Sequence, residues 1–425
     1  MTDKVSQFTE GNLDKIKKYF TVFFAFIVIL IFLYFVYITG SDNISLVKSS
    51  GSVGVNAGEF NFPCGVAEDS EGNIYVADTN NHRIQKFDKN FKFITSWGER
   101  GSTSGKFFYP VRVKVNLLGE VVVTDNKNNR IQIFKSNGEF IKEFGTSGIE
   151  YGQLHQPTGL AFDAGSNTYV ADTFNHRIQK FTRDGKLVMA LGSLGKGPGQ
   201  MDTPWGIDLD KNGNIYVADT YNHRIQKFNR DGTFIFTFGH KGSKKGQLLY
   251  PVDLSVDKDG CIYVLDMGNN RVCKFAPDGK FINSWGKEGD KSDEFIQPYG
   301  MLLDKEYLFI ADSQNNRIKK YKCKKGFLNI KTSERAEENL EGPVRAPIPS
   351  GTDEETPFTA PTLYVPEKMP EALTPEAKET IIPEKESKIE EIPEIPEYIE
   401  RDKPVTGKTK KPDSSETELQ EQETF

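Results

Sequence analysis

A proline recurs in this chain every 47 residues, and this periodicity constrains the fold more than any other feature. The six prolines are Pro63, Pro110, Pro157, Pro204, Pro251 and Pro298. A second marker, an aromatic residue or Leu followed by Gly, recurs in the same phase, as in Trp97-Gly98 and Leu191-Gly192. Self-similarity at a fixed period of about 20–50 residues indicates a chain built from stacked copies of one structural unit.

A third marker, the motif Asp-x-x-Asn-x-Arg, occurs six times in phase with the prolines. Its recurrence in every unit favours a structural role over a catalytic one. We expect the Asp to accept hydrogen bonds from the amides of a turn, the Asn to adopt the left-handed conformation, and the Arg to pair back to the Asp. The motif residues are Asp78, Asn81, Arg83, Asp125, Asn128, Arg130, Asp172, Asn175, Arg177, Asp219, Asn222, Arg224, Asp266, Asn269, Arg271, Asp312, Asn315 and Arg317.

Each unit contains four short segments of strand-forming residues separated by turn residues. In the fourth unit the predicted strands, named a to d in chain order, are residues 206–210, 214–219, 224–228 and 233–238. Four strands in a unit of about 40–50 residues indicate a β-propeller. The sequence therefore predicts an all-β protein with a six-bladed β-propeller of four-stranded antiparallel blades, spanning residues 39–331.

Closure of the ring requires a fourth strand for the last unit. Residues 44–51 lie one period before the strand that ends at Trp97-Gly98, so they align with strand d of the other units. We expect this N-terminal segment to complete blade 6 beside residues 317–321, which removes an open sheet edge. Residues 327–330 are an alternative candidate for the same position.

The consensus of the repeat resembles a known family. Asn-Ile-Tyr-Val-Ala-Asp-Thr-x-Asn-His-Arg-Ile-Gln-Lys-Phe, preceded by Pro-x-Gly, is similar to the NHL repeat, and the similarity covers roughly residues 44–331. Units 1, 3 and 4 match it most closely. The resemblance implies a six-bladed propeller, but it implies little about activity because one fold supports many functions.

An apolar segment precedes the repeats. Residues 19–38 contain twenty consecutive positions without a charge, which is long enough to cross a bilayer as a helix. Four lysines (Lys4, Lys15, Lys17, Lys18) precede the segment and only Lys48 follows it closely, so residues 1–18 are expected in the cytoplasm and the propeller and tail outside it. A cleaved signal peptide is the alternative, although its apolar region is usually shorter.

The C-terminal part of the chain has a different composition. Residues 332–425 are rich in Pro and Glu, and from residue 331 onward 12 basic and 24 acidic residues give a net charge of −12. Such a segment buries too little apolar surface to offset its chain entropy, so we expect a disordered acidic tail. A solvated spacer and a docking segment for a basic partner are both compatible with this composition.

The His and Cys residues do not indicate a metal or cofactor site. His82, His176 and His223 occupy one register in three different units, and packed sheets lie too far apart for them to share one ion. Cys273 is expected opposite Val264 and not opposite Cys261. The four cysteines are therefore interpreted as small buried residues, and we expect no metal, no cofactor and no catalytic residue.

Three classes of function remain open. The first is a membrane-anchored interaction scaffold whose propeller binds a protein or a glycan outside the cytoplasm. The second is a propeller enzyme, such as a metal-dependent lyase or a lactonase-like hydrolase, which would need converging His and carboxylate ligands in the central channel. The third is an RNA-binding propeller, which the net charge of +6 over residues 1–330 and the loop Lys241-Gly-Ser-Lys244-Lys245 allow. The sequence favours the first class, does not favour a nucleic acid partner, and does not indicate an oligomeric state.

The candidate partner surface is identified by differences among the repeats. The d-to-a connections and the b-to-c turns should emerge on one face of the propeller. Most units carry Gly two positions after the proline, whereas two opposite blades carry charges that should face each other across the channel mouth. Aromatic residues vary nearby, and aromatic residues with Arg often concentrate binding energy. The candidate residues are Arg112, Asp253, Trp205, Tyr299, Phe174 and Tyr221.

Overall fold

The computed structural model describes residues 23–24, 26–29, 44–304 and 306–323. The six residues described within the predicted span 19–38 are helical. Among the described residues, no helix is both long enough and apolar enough to cross a membrane. The rest of that span, residues 1–18 and the predicted tail 332–425 lie outside the described residues.

The described residues from Ile44 onward form six four-stranded antiparallel sheets. Blade 1 comprises β2 (Pro63–Glu68), β3 (Ile74–Asp78), β4 (Arg83–Phe87) and β5 (Phe93–Trp97). Blade 2 comprises β6 (Pro110–Val115), β7 (Val121–Asp125), β8 (Arg130–Phe134) and β9 (Phe140–Phe144). Blade 3 comprises β10 (Leu160–Phe162), β11 (Thr168–Asp172), β12 (Arg177–Phe181) and β13 (Leu187–Leu191). Blade 4 comprises β14 (Pro204–Leu209), β15 (Ile215–Asp219), β16 (Arg224–Phe228) and β17 (Phe234–Phe238). Blade 5 comprises β18 (Pro251–Val256), β19 (Ile262–Asp266), β20 (Arg271–Phe275) and β21 (Phe281–Trp285). Blade 6 comprises β22 (Gly300–Leu303), β23 (Tyr307–Asp312) and β24 (Arg317–Cys323), together with β1 (Ile44–Ser50).

The sheets form a closed ring. The first strand of each blade contacts the first strand of the next blade, and β22 of blade 6 contacts β2 of blade 1. Buried side chains between successive sheets form the core, in which the largest are aromatic residues such as Tyr75 and Phe134. The predicted six-bladed, all-β propeller is confirmed, and the four strands of blade 4 agree with prediction to within two residues at each end.

Blade 6 is completed by the N-terminal strand. β1 pairs antiparallel with β24, from Ile44 opposite Cys323 to Ser50 opposite Ile318, with a bulge between Leu46 and Lys48. The predicted ring closure is therefore confirmed. The alternative candidate, residues 327–330, lies outside the described residues, and β1 already occupies the position.

The cysteine predictions are also confirmed. Cys273 lies opposite Val264 in the β19–β20 pair. All four cysteines are buried and free. Burial raises the pKa of the Cys64, Cys273 and Cys323 thiols to about 12. Buried thiols of this kind are chemically inert.

The repeated motif forms one hydrogen-bonded hub in each blade. In blade 1, Asp78 is fully buried and accepts from the Asn61 amide, from Asn81 Nδ2 and from Arg83 Nε at 2.7–2.9 Å. The Arg Nε–Asp Oδ2 distance is 2.7–2.8 Å in all six blades. The predicted pairing of the motif Arg with the motif Asp is thus confirmed. The amide comes from the preceding d-to-a connection and not from the turn, so that part of the prediction is wrong.

The left-handed residue of each turn is also not the one predicted. The motif Asn ends a short 3₁₀ turn, and the next residue, for example His82 at φ 54°, adopts the left-handed conformation. This residue holds the following blade: His223 Nδ1 accepts from the Tyr250 amide at 3.1 Å, and Asn270 Oδ1 accepts from the Gln297 amide at 2.8 Å. The three histidines predicted not to share a metal therefore act in the same structural position as Asn in the other blades.

Deletion of β1 tests the closure of the ring. We expect removal of residues 44–50 from the full chain to lower the melting temperature by more than about 5 °C, because β24 loses its partner strand and becomes an exposed edge. Differential scanning calorimetry measures the change, and Val47→Thr, at an exposed position of β1, is the control. An unchanged melting temperature would mean that another segment can close blade 6.

The hub of blade 6 has a different residue beside the Asp. Four blades place a Gln beside the Asp, as Gln85 does in blade 1, where it donates to Asp78 Oδ2 at 3.0 Å. Blade 6 has Lys319, which is buried, with its Nζ 3.7 Å from Asp312 Oδ2 and donating to the carbonyls of Lys291 and Glu294. Burial lowers the pKa of Lys319 to about 8 despite the nearby Asp312 carboxylate.

We expect Lys319→Gln to raise the free energy of unfolding at pH 7 by roughly 1–3 kcal/mol, since each unit of pKa shift corresponds to about 1.4 kcal/mol. Between the folded pKa of about 8 and the unfolded value of about 10.4, the unfolded chain holds a proton that the folded chain has lost, so native stability rises with pH there. The advantage of the variant should therefore shrink from pH 8 to pH 10. Urea unfolding measures it.

The matched control is Gln226→Lys, which places the same lysine in the hub of blade 4. This variant should lose stability at pH 7 and recover part of the loss at higher pH. A difference between native chain and Lys319→Gln that does not change with pH would contradict the lowered pKa.

Candidate functional site

The d-to-a connections and the b-to-c turns share one face, which we call the proline face. The Asn61 amide in such a connection donates to Asp78, at the start of the b-to-c turn of the same blade. The Thr79 hydroxyl in that turn donates to the carbonyl of Pro110 in the next blade at 2.8 Å. The opposite face carries the a-to-b and c-to-d turns, and we call it the hairpin face. The predicted juxtaposition of the two kinds of loop is confirmed.

Two charged side chains meet across the ring. Arg112 of blade 2 and Asp253 of blade 5 form an ion pair with Nη1 and Oδ2 2.7 Å apart. The two blades are three apart in a ring of six, so the pair spans the axis. The prediction that these charges face each other is confirmed. Their exposures of 2% and 4% show that neither lies on the surface, so neither can contact a partner directly.

The ion pair is held by the backbone around it. Asp253 Oδ2 also accepts from the Met301 amide at 2.7 Å, and its Oδ1 accepts from the Leu254 amide at 3.0 Å. Burial raises the pKa of Asp253, and the Arg112 guanidinium opposes that rise. The Arg112 amide donates to the Thr124 hydroxyl at 2.8 Å. The pair therefore closes the middle of the ring as a structural element.

The other blades carry Gly at the position of Arg112 and Asp253 because their inner strands approach too closely for a side chain. A Cβ on Gly159 would collide with the Trp205 carbonyl oxygen, and one on Gly300 would collide with the Cys64 carbonyl oxygen. Both charged residues are thus exceptions to a steric rule that the remaining blades follow.

An aromatic cluster lies on the proline face, next in sequence to the positions of Arg112 and Asp253. The Trp205 and Tyr299 rings pack with centroids 5.3 Å apart, and Tyr299 also packs on Phe62 at 5.3 Å. Buried Cys64 and Val111 complete the cluster. Burial raises the pKa of Tyr299. Trp205 and Tyr299 cover one another in part and remain half-buried, so each keeps some accessible surface.

The remaining predicted candidates lie at the b-to-c turns of two neighbouring blades. Tyr221 packs edge-on against Tyr250 with centroids 5.4 Å apart. Phe174 packs on the ring of His155 at 5.5 Å. Phe174 is half-buried, whereas Tyr221 is exposed. The structure thus brings Trp205 and Tyr299 into contact and places Tyr221 and Phe174 at separate turns of the same face.

Sequence reasoning missed a set of exposed apolar side chains on this face. They lie in the d-to-a connections, and Ile149 and Leu194 expose 73% and 62% of their surface. Tyr151 is also exposed and lies against the Arg177 guanidinium at 5.2 Å. We give the name apolar arc to the exposed apolar residues in the proline-face loops of blades 3 and 4, which are Ile149, Tyr151, Leu194 and Tyr221.

The apolar arc could have been found in the sequence by comparing the repeats at the position of Leu194 in the d-to-a connection. The position of Leu194 is occupied by Arg100, Lys241 and Glu288 in the connections that lead into blades 2, 5 and 6. The same position holds Ser147 in the connection into blade 3 and Val53 in the connection into blade 1. Three of the six units therefore carry a charge there, and an exposed apolar side chain occurs in blades 1 and 4. Val53 and Val55 form a second exposed pair in the connection that leads into blade 1.

Among the described residues, no group of three or more His, Cys, Asp or Glu side chains is arranged to hold a metal ion. The turn histidines use Nδ1 to accept backbone hydrogen bonds, as His176 does from the Thr203 amide at 3.1 Å. Burial lowers the pKa of His176 and of His223, which favours the neutral form that this acceptor role needs.

Fold and repeat together define the class of protein as a six-bladed β-propeller. The NHL repeat family model matches residues 60–87, 107–134 and 201–228, and a 6-bladed beta-propeller family model matches residues 244–334. The chain therefore contains NHL repeats. The three matches fall in blades 1, 2 and 4, whereas the sequence had indicated blades 1, 3 and 4 as the closest to the family consensus.

Curated relatives share a short stretch with this chain. The "B-box type zinc finger protein ncl-1" of Caenorhabditis elegans is 58% identical over 43 residues, which are 10% of this chain and 5% of that protein. The "Protein brain tumor" of Drosophila melanogaster is 56% identical over 43 residues, which are 10% and 4%. This chain thus matches only about one twentieth of the length of these relatives.

Solved structures show similarity of fold. A protein of unknown function from Bacteroides thetaiotaomicron has a TM-score of 0.53 and 18% identity, covering 66% of this chain and 75% of that one. The virginiamycin B lyase from Staphylococcus aureus has a TM-score of 0.49 and 16% identity, covering 66% and 99%. At these identities the similarity concerns the fold alone.

The ion pair can be tested by comparing the native chain with one single variant and one double variant. We expect Arg112→Met to lower the free energy of unfolding by about 3–5 kcal/mol, because Asp253 is left buried without its partner. Arg112→Met/Asp253→Asn should recover most of the loss, since Asn removes the charge and keeps an acceptor for the backbone amides. Urea unfolding of the three proteins provides the measurement. A loss below about 1 kcal/mol for the single variant would contradict this role.

Proposed function

We propose that this chain is an interaction scaffold whose NHL propeller binds a protein partner through the apolar arc of its proline face. The observation that carries the proposal is the concentration of exposed apolar side chains, Ile149, Tyr151, Leu194 and Tyr221, on two neighbouring blades. Exposed apolar side chains gathered on one face of a folded domain often mark an interaction site. Trp205, Tyr299 and Phe174 supply half-buried aromatic surface on the same face.

A protein fits this surface better than a glycan. Tyrosine and tryptophan rings can stack on sugars, and the arc contains two tyrosines. Ile149 and Leu194 are the most exposed members of the arc, and their aliphatic side chains offer no flat face for a sugar ring. They can be buried by a complementary apolar surface, as at the centre of protein interfaces.

The proposal includes a membrane anchor. Residues 19–38 form an uncharged apolar segment of sufficient length, and the lysine asymmetry around it favours a cytoplasmic N-terminus with the propeller outside. The acidic tail would then lie on the same side of the membrane as the propeller. The scaffold would present the proline face to partners in that compartment.

The alternatives have less support. An enzyme that uses the central channel needs an open site near the axis, whereas the Arg112–Asp253 ion pair and the aromatic cluster fill that region. The RNA-binding alternative rests on Lys241, Lys244 and Lys245, which are exposed in one loop. Solvated lysines of this kind are common, and an exported propeller would rarely meet RNA.

Site-specific cross-linking tests the proposed surface. A photoreactive amino acid at Leu194 of the full chain should give a discrete adduct with the partner in its native membrane, because this side chain lies in the arc. The same amino acid at Lys241, the equivalent position of the next connection, is the matched control and should give none. Adducts of equal yield at both positions would exclude the arc as the specific surface.

Affinity for the identified partner provides the second measurement. Leu194→Ser and Tyr221→Ala should each weaken binding by more than about 1 kcal/mol, which is roughly fivefold in Kd. Both side chains are exposed, so the melting temperature should change little. Arg112 is not a useful position for this test, since its removal would act through stability.

A further inference from the structure

The propeller segment of the described chain, residues 44–323, both begins and ends on the hairpin face. β24 starts at Arg317, directly after a b-to-c turn of the proline face, and runs toward Cys323 on the hairpin face. β1 is antiparallel to it, with Ile44 opposite Cys323. Ile44 therefore lies on the hairpin face, and β1 leads from there toward the proline face.

Only residues 39–43 separate the apolar segment 19–38 from Ile44. Six residue steps from Ile38 to Ile44 can span at most about 22 Å, even fully extended. If the segment crosses a bilayer, as the proposed function requires, the hairpin face is held close to the lipid surface. The proline face is then turned away from the membrane.

Among the described residues, one turn of the hairpin face has an apolar tip. Leu117 and Leu118 occupy the a-to-b turn of blade 2 and expose 75% and 54% of their surface. The two equivalent positions in blades 1, 3, 4 and 5 are Ser70-Glu71, Ala164-Gly165, Lys211-Asn212 and Lys258-Asp259, all polar or small. Among blades 1 to 5, two adjacent exposed leucines therefore occur in blade 2 alone.

The structure of the turn does not require these leucines. Asn116 Oδ1 accepts from the amides of Leu118 and Glu120 at 3.0 Å, and Asp210 Oδ1 accepts from the amides of Asn212 and Asn214 in the same way. The first residue thus holds the turn in both blades, whatever side chains stand at the tip. An apolar tip without a structural role calls for another explanation.

The charge nearest the tip is compensated. Glu120, two residues after Leu118, accepts from Arg183 Nη2 at 2.6 Å and from Asn116 Nδ2 at 2.7 Å. These contacts hold the pKa of Glu120 below its usual range against the opposing effect of burial. No uncompensated carboxylate at this turn would therefore repel an anionic lipid surface.

We propose that Leu117 and Leu118 insert into the boundary between headgroups and acyl chains of the bilayer that anchors this chain, and so fix the orientation of the propeller. Apolar side chains in this zone gain free energy in proportion to the area they bury. A tethered module needs only weak affinity for such a contact, because the tether keeps its local concentration in the millimolar range. The inference rests on the proposed anchor.

The test uses the full chain in nanodiscs of phosphatidylcholine and phosphatidylserine. Leu118→Cys is labelled with a polarity-sensitive nitrobenzoxadiazole dye, and quenching by lipids with a headgroup-level nitroxide is measured. The native thiols are buried, so the introduced Cys is labelled selectively. Asn212→Cys, at the equivalent position of blade 4, and Val55→Cys, on the proline face, are the matched controls.

We expect quenching at position 118 to exceed that at position 212 by at least twofold, with none at position 55. Quenching at position 118 no greater than at position 55 would overturn the inference. Shielding of the dye that follows protein concentration and not lipid would assign the tip to a second copy of the chain, and would also overturn it.

A separate measurement distinguishes failure of the anchor from failure of the inference. The unlabelled full chain is mixed with vesicles of the same lipids, washed with carbonate and floated on a density gradient. Flotation without quenching at position 118 rejects the tip contact and leaves the anchor in place. Absence from the floating fraction rejects the anchor, and with it the proposed orientation.

Discussion

The buried aspartate that ends the second strand of each blade is the interaction on which the structure depends. Asp172 is fully buried and accepts from the His155 amide, Asn175 and Arg177. Burial raises its pKa, and the hydrogen bonds oppose that rise. A buried carboxylate without such partners would cost several kcal/mol, so the connection from the preceding blade must dock in one way. This docking creates the proline face.

Because the hub is repeated six times, comparison of equivalent positions distinguishes residues that the fold requires from residues that are particular to one blade. A position that the fold requires is filled alike in every blade, whereas a departure must be tolerated locally. Lys319 departs from Gln inside the hub and carries a lowered pKa as a consequence of burial. Arg112 and Asp253 depart from Gly at the axis and compensate each other. The exposed Leu194 stands where three other blades carry a charge and has no internal compensation, and the proposed function assigns it to binding.

Repeat phase predicts backbone pairing well, since one residue of error would reverse every side chain of a strand. The pairing of Cys273 with Val264 and the closure of blade 6 by β1 followed from it. Phase does not give distances across the ring, so the sequence placed Arg112 opposite Asp253 but did not reveal their burial. The left-handed residue was also misassigned, because His and Asn were not recognised as equivalent acceptors at that position.

The two faces of the ring differ because the propeller strands begin and end at only one of them. Ile44 and Cys323 lie together on the hairpin face, so any anchor and any tail connect there. A short link to the proposed anchor would leave little space for a large partner on that side, whereas neither end of the described segment 44–323 lies on the proline face. In the proposed anchored arrangement, exposed apolar side chains on the proline face are available to a protein, whereas Leu117 and Leu118 lie on the side that would face lipid.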